Sequence, residues 1–362
     1  MVEIDSSPTK PLIYDLDFHE IEGVIKEWQQ PPFRARQIWE GLYKNFWREP
    51  EQFSNLPVSL RKELTNNFRI VSLKPVQVLH STDGETTKTL FQLPDGKAIE
   101  AVLMKYEKRR TLCISTQAGC AMGCVFCATG QMGFKRHLTS GEIVEQVIYY
   151  ANLLKNEGEA VTNIVLMGMG EPFHNYDATM AAIDRLNHPL GMNLGARRFT
   201  ISTVGIVPMI RRFASENRQV NLAISLHAAD DDLRTSMLPI NKKYPLGELM
   251  AACREYVAQT NRRLTFEWAL IQGVNDSIET ARKLARLLEG LLCHVNVIPL
   301  NPTKKYAGKG STRERALAFK TELERHGIPC TIRIRRGIDI QAGCGQLAIQ
   351  QPQNLPPNPL MI

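Results

Sequence analysis

Apolar positions change their period along this chain at about residue 111. Before that point, Phe18–Trp28 and Arg34–Trp47 repeat apolar residues three and four apart, the spacing of one helical face, on either side of Pro31-Pro32. Pro57–Phe68 repeats the pattern, so three helices are expected within residues 1–75. This stretch holds three of the chain's four tryptophans, which suit its core. Thr87–Leu93 and Lys97–Met104 alternate with period two around Pro94-Asp95-Gly96, the pattern of a β-hairpin.

Beyond residue 111, β-branched apolar runs take turns with amphipathic segments of helical period. The runs are Thr111–Thr116, Asn163–Met167, Arg198–Thr203, Val220–Leu226, Leu264–Ile271, Val295–Leu300 and Cys330–Ile334. The segments between them are Gly141–Leu154, Thr179–Leu186, Pro208–Ser215, Leu246–Gln259, Ile278–Leu288 and Arg313–His326. Ser140, Ser277 and Thr312 stand where N-caps belong, and Gly327 where a C-cap does. Six strand–helix units and a closing strand predict an α/β fold with parallel strands and right-handed crossovers. The pattern is compatible with a whole or partial barrel and with a doubly wound sheet. In either, ligands bind at the carboxyl ends of the strands. Polar and glycine-rich residues gather there: Gln117-Ala-Gly-Cys120, Gly168-Met-Gly-Glu-Pro172, Ser202-Thr-Val-Gly205, Ser225-Leu-His227 and Asn301-Pro302.

Composition narrows the class. Hydrophobic residues are 43 % and charged residues 22 % of 362, ordinary for a globular protein. No apolar run is long enough to span a bilayer, and the first residues lack the build of a signal peptide, so a cytoplasmic protein with no membrane partner is expected. The net charge of +7 lies beyond residue 75, where basic pairs such as Arg197-Arg198, Arg262-Arg263 and Arg335-Arg336 recur. An RNA partner would explain this surplus, as would a mildly basic solvated surface. The tail from Gln350, rich in Pro and Asn, reads as unfolded.

Eight cysteines in such a chain argue for metal or catalytic use over disulfides. Three fall in Cys120-Ala-Met-Gly-Cys124-Val-Phe-Cys127. Structural zinc takes four ligands, and Cys113 is the nearest candidate for a fourth, but it belongs to the preceding strand. The alternative is a cubane held by Cys120, Cys124 and Cys127, with one iron left open. Cys-x3-Cys-x2-Cys after the first strand of a β/α array resembles the radical S-adenosylmethionine (SAM) enzymes. That resemblance implies a 4Fe-4S cluster whose open iron chelates SAM and cleaves it to a 5′-deoxyadenosyl radical. It also makes Gly170 and Glu171 of the Gly-Met-Gly-Glu-Pro stretch the site for SAM's amino group, with Ser202, Ser225, Leu226, His227 and Asn301 as further contacts on the same rim.

A closer resemblance rests on Thr111-Leu-Cys-Ile-Ser-Thr-Gln-Ala-Gly-Cys, Leu166-Met-Gly-Met-Gly-Glu-Pro and Arg335-Arg-Gly-Ile-Asp-Ile-Gln-Ala-Gly-Cys-Gly-Gln-Leu. These are similar to the RlmN group of RNA methyltransferases, over residues from about 10 to 347. The group's fold would be a partial (βα)6 barrel with a small helical N-terminal domain. It divides the chain into an RNA-binding helical domain (1–75), a hairpin connector (76–105), the barrel (106–341) and a C-terminal segment (342–362). The implied activity is methylation of C2 of one adenosine in 23S rRNA, at the peptidyl transferase centre, and of one in the tRNA anticodon loop. Two SAM molecules per turnover and an electron donor such as a flavodoxin are implied with it. Cys344, between Gly343 and Gly345, would carry the methyl group as S-methylcysteine. Glu100 would accept the C2 proton, and Cys113 would release the product by forming a transient disulfide with Cys344. The rival within the group is Cfr-type methylation of C8, which the Gly-Glu-Pro triplet and the N-terminal module disfavour. A non-catalytic RNA-binding protein with structural zinc is the rival from another class.

Overall fold

The computed structural model describes residues 10–333 and 335–348, so the tail from Gln350 lies outside the described residues. Helices α1 (Phe18–Glu27), α2 (Phe33–Tyr43) and α3 (Val58–Asn67) form the N-terminal region. A capping box between Asp17 and Glu20 starts α1. Trp39, Tyr43 and Tyr14 are fully buried between these helices and the neighbouring barrel wall.

Strands β1 (Lys74–His80), β2 (Thr86–Gln92), β3 (Ala98–Tyr106) and β4 (Arg109–Cys113) follow as an antiparallel meander. The expected hairpin is β2–β3, with β1 added where the sequence suggested no strand. These strands do not stand apart: they continue directly into the main sheet. β5 (Gln117–Gly119), α4 (Ala128–Gln131) and β6 (Phe134–His137) make a small separate hairpin that the periodicity did not reveal. The regular array is α5 (Ser140–Asn156), β7 (Asn163–Leu166), α6 (Tyr176–Asn187), β8 (Phe199–Thr203), α7 (Val207–Ser215) and β9 (Asn221–Ser225). It continues through α8 (Asp231–Met237), α9 (Leu246–Thr260), β10 (Leu264–Leu270), α10 (Ile278–Leu288), β11 (Cys293–Pro299), α11 (Arg313–Arg325) and β12 (Cys330–Ile332). Ser277 and Thr312 cap α10 and α11 as expected. The cap of α5 is Thr139, one residue before the expected Ser140, because Thr139 and Glu142 satisfy each other's backbone amides.

The strand order is β1-β2-β3-β4-β7-β8-β9-β10-β11-β12, parallel from β4 onward and open at its ends. This is the partial barrel, and the doubly wound alternative falls because sequential strands simply add to one edge. Residues alternate across it. Ile164, Leu166, Phe199, Ile201, Phe266 and Val297 face the helices and are fully buried. The other face carries Asn163, Thr200, Asn221, Thr265, Asn296 and Thr331, which line an interior cavity instead of a packed core. Closed barrels fill that space with branched apolar side chains; here it is polar and open.

Candidate active site

Antiparallel β5 and β6 form a stem that holds the cysteine loop above the strand ends. At the top of the stem Gly119 has φ +73°, and a Cβ there would lie 2.0 Å from the carbonyl oxygen of Gly133, so only glycine closes it. Within the loop the amide of Cys120 donates to Gly133 O (3.2 Å), and that of Val125 to Met237 O (3.1 Å). Cys120, Cys124 and Cys127 line one cavity together with Gly170, Glu171, Ser202, Ser225, His227, Asn301 and Cys344. No three His, Cys, Asp or Glu side chains among the described residues cluster tightly enough for a single metal ion. A cubane is wider than one ion and takes its thiolates from further apart. Burial pushes the Cys120 thiol up to about 12 and raises those of Cys124 and Cys127. As anions they need a compensating cationic centre, of the kind an iron cluster would supply.

Glu171 ends β7's loop, fully buried, accepting from the amides of Phe173 (3.0 Å) and Val204 (2.9 Å). Burial raises its carboxyl to about 7, against the lowering effect of those bonds. An ammonium group beside it would restore the carboxylate. Gly170, at φ +103°, brings the backbone within contact of Gln117; a Cβ would meet the Gln117 side chain at 2.6 Å. Gln117 also accepts from the amide of Glu171 (2.8 Å), fixing the carboxylate's approach.

Ser202 and Ser225, on adjacent strands, lie 3.2 Å apart at their hydroxyls. His227 takes the left-handed conformation, φ +61°, unusual for a side chain of its size and a mark of constraint at strand ends. Its Nδ1 accepts from the amide of Ala269 (2.9 Å), so the proton resides on Nε2. Burial first, and Arg234 second, lower its pKa to about 3, keeping it a neutral donor. Asn301 Nδ2 donates to Cys344 O (3.1 Å), while its Oδ1 is buried without a hydrogen-bond partner. An unsatisfied acceptor facing this cavity fits a polar ligand. Leu226 does not line the cavity: alternation along β9 sends its side chain into the core, and its carbonyl accepts from Arg234 (3.2 Å).

Cys344 is exposed on a segment pinned from several sides. Besides Asn301, Ala128 N donates to Gly345 O (2.8 Å) and Thr129 Oγ1 to Leu347 O (2.7 Å). Cys113, the last residue of β4, shares a narrow cleft with Cys344, lined also by Arg333 and Arg336. Burial pushes the Cys113 thiol up to about 12, and Arg333 works against that. Glu100, on β3, lines neither space. It is buried, its Oε2 accepts from the amide of Ala348 (2.9 Å), and Lys88 Nζ lies 3.0 Å from its Oε1. Burial raises its carboxyl above the usual range, while Lys88 opposes the shift. Lys88 also donates to Gln341 O (3.3 Å), so one cation holds both the carboxylate and the Cys344 segment.

Lys88, Gln117, Glu267 and Arg234 went unremarked in the sequence as individual site residues. A lysine on the alternating strand Thr86-Thr-Lys-Thr-Leu and a glutamate inside Leu264-Thr-Phe-Glu-Trp were the available signs, each a charge at an inward strand position. Arg234, fully buried, ties Leu226 O, Val204 O (2.7 Å) and Asn241 Oδ1 (2.7 Å) together beneath the rim.

Residues 114–285 match the Radical SAM superfamily model, and the partial barrel with its cysteine loop is that class of fold. Residues 13–70 match the ribosomal RNA large subunit methyltransferase N-terminal domain. A radical SAM methyltransferase from Sphaerobacter thermophilus superposes with a TM-score of 0.91 at 51 % identity, covering 93 % of this chain and 99 % of that one. A probable dual-specificity RNA methyltransferase RlmN from Chloroflexus aurantiacus is 49 % identical over 93 % of this chain and 92 % of its own length. A dual-specificity RNA methyltransferase RlmN from Myxococcus xanthus is 48 % identical over 94 % and 95 %. The chain therefore belongs to the RlmN family. It is a SAM-dependent RNA methyltransferase that works with an iron–sulfur cluster.

Proposed function

We propose that this enzyme methylates C2 of one adenosine in the peptidyl transferase centre of 23S rRNA and of one in the tRNA anticodon loop, with Cys344 as methyl carrier. The observation that supports this most is the position of Cys344, which borders both the cavity of the three loop cysteines and the cleft of Cys113. A carrier must face its donor and its releasing thiol from one place, and no other cysteine borders both spaces among the described residues.

Cys120, Cys124 and Cys127 hold the cluster, and Gly170, Glu171, Ser202, Ser225, His227 and Asn301 surround SAM. When bound, these groups supply a methyl cation equivalent and a hydrogen-abstracting radical, two SAM being used per turnover, with electrons from a donor such as a flavodoxin. C2 of adenine has no nucleophilic lone pair, so the chain offers a thiol instead: Cys344 takes the methyl group, one hydrogen of that methyl is lost to the radical, its carbon bonds to C2, and the adduct gives up one electron. Glu100, where Lys88 works against the upward pull of burial, removes the C2 proton. Cys113 then attacks the Cys344 sulfur, forming a disulfide as the carbon–sulfur bond breaks; the freed carbon keeps the electron pair, takes up a proton to become the methyl group, and an external thiol reductant restores both cysteines. The test is mass spectrometry of 23S rRNA and tRNA from cells with and without this gene. Loss of 2-methyladenosine from both RNAs is expected; loss of 8-methyladenosine, or retention in tRNA, overturns the corresponding part.

A further inference from the structure

A larger space, a cavity of about 960 Å³, opens at the amino ends of the strands and runs inward to Met167, Glu267 and Arg333. Arg109, Arg197, Arg198, Arg262, Arg263 and Arg333 line it. Arg333 lies 3.7 Å from Glu267, the one carboxylate lining the cavity among the described residues. The other five pair with no carboxylate among those residues; Arg197 and Arg262 donate to the neutral amides of Gln219 and Asn221. Arginines elsewhere on the molecule behave differently: Arg110, Arg136, Arg211, Arg212 and Arg218 each hold an acidic partner.

Six guanidinium groups around one concave space repel one another, and the chain places almost no counter-charge there. The walls between them are amides and hydroxyls: Asn163, Thr200, Asn221 and Asn296. Guanidinium forks match phosphate oxygens in a bidentate way, and amide side chains hydrogen-bond base edges. The volume lies at the upper end of the range of small-molecule sites, enough for a short run of nucleotides.

We propose that this N-terminal mouth of the barrel is a second binding site, which takes the phosphate groups of nucleotides, either along a single-stranded stretch of RNA or in a free polyphosphate. Five of its arginines stand at the amino ends of the strands, away from the thiols, whereas Arg333 sits where the cavity meets the Cys113–Cys344 cleft.

The test uses the cluster-loaded enzyme with labelled oligouridylate, which contains no adenine to methylate, and with inorganic tripolyphosphate as competitor. The double variant R198E/R263E is expected to bind oligouridylate at least about tenfold more weakly at low salt, and to lower the slope of log affinity against log salt by roughly 0.7 for each phosphate left without its arginine. The variant K283E/R286E makes the same charge change on the outer face of α10 and should have a clearly smaller effect. On the unaltered protein, oligouridylate should protect Arg198 and Arg263 from phenylglyoxal. Protection by tripolyphosphate as well identifies a polyphosphate site; protection by oligouridylate alone identifies an RNA strand. Absence of protection by either, or equal weakening in the two variants, overturns the proposal.

Discussion

The two ends of one barrel have been built for opposite kinds of charge. The carboxyl rim gathers thiols, a buried glutamate and a neutral histidine in a space of about 150 Å³, walled by Phe126, Leu300 and Met122. The amino mouth is some six times larger and edged with arginine. Glu267 and Met167 border both spaces and so form the partition. Desolvation explains the contrast. In the small dry rim each acid is pushed toward its neutral form, as in Glu171, so the rim favours a ligand that brings positive charge. At the wide mouth the arginines meet almost no carboxylate and favour a ligand that brings negative charge.

That contrast can be broken from the rim first. Cys124→Ala should abolish the brown absorbance and all formation of 5′-deoxyadenosine, while affinity for oligouridylate at the mouth stays within about twofold. Continued SAM cleavage would contradict cluster ligation. Cys113→Ala should slow release so far that a covalent protein–RNA adduct accumulates, visible as an RNase-sensitive shift on a denaturing gel; normal turnover would remove Cys113 from its assigned task. Glu171→Gln should weaken SAM binding by about 10- to 100-fold, the worth of a charged hydrogen bond, measured by equilibrium binding. Unchanged affinity would show that the ammonium is held elsewhere. Lys88→Met gives the smallest effect. Glu100 must be ionised to accept a proton, and losing Lys88 raises its pKa further, so the acidic limb of the rate profile should move to higher pH with the alkaline plateau least affected. A limb that stays in place would make Lys88 merely a packing residue.

The repeating barrel was legible because its outward strand positions are uniformly apolar and its helices amphipathic. The missing pieces share a physical cause. β5 and β6 are three and four residues long, too short to show a period, and they exist to brace a loop. β1 exposes most of its side chains at the sheet edge, so it shows little apolar alternation. For the site, Cys120, Cys124, Cys127 and Glu171 could be found by spacing and strand-end position. Leu226 was included with its neighbours at the same strand end; alternation turns its side chain to the core, which leaves only its backbone toward the rim. Lys88 showed only as a charge at an inward strand position; its meaning depends on a partner 12 residues away on the next strand, whose other oxygen is held by Ala348, reached only through folding.

The bond from Ala128 N to Gly345 O starts at the residue immediately after Cys127. The segment that presents Cys344 is therefore anchored to the short helix that follows Cys127. The spacing between the cysteine loop and the exposed Cys344 thiol thus hangs on that bond and on the one from Thr129 Oγ1 to Leu347 O beside it.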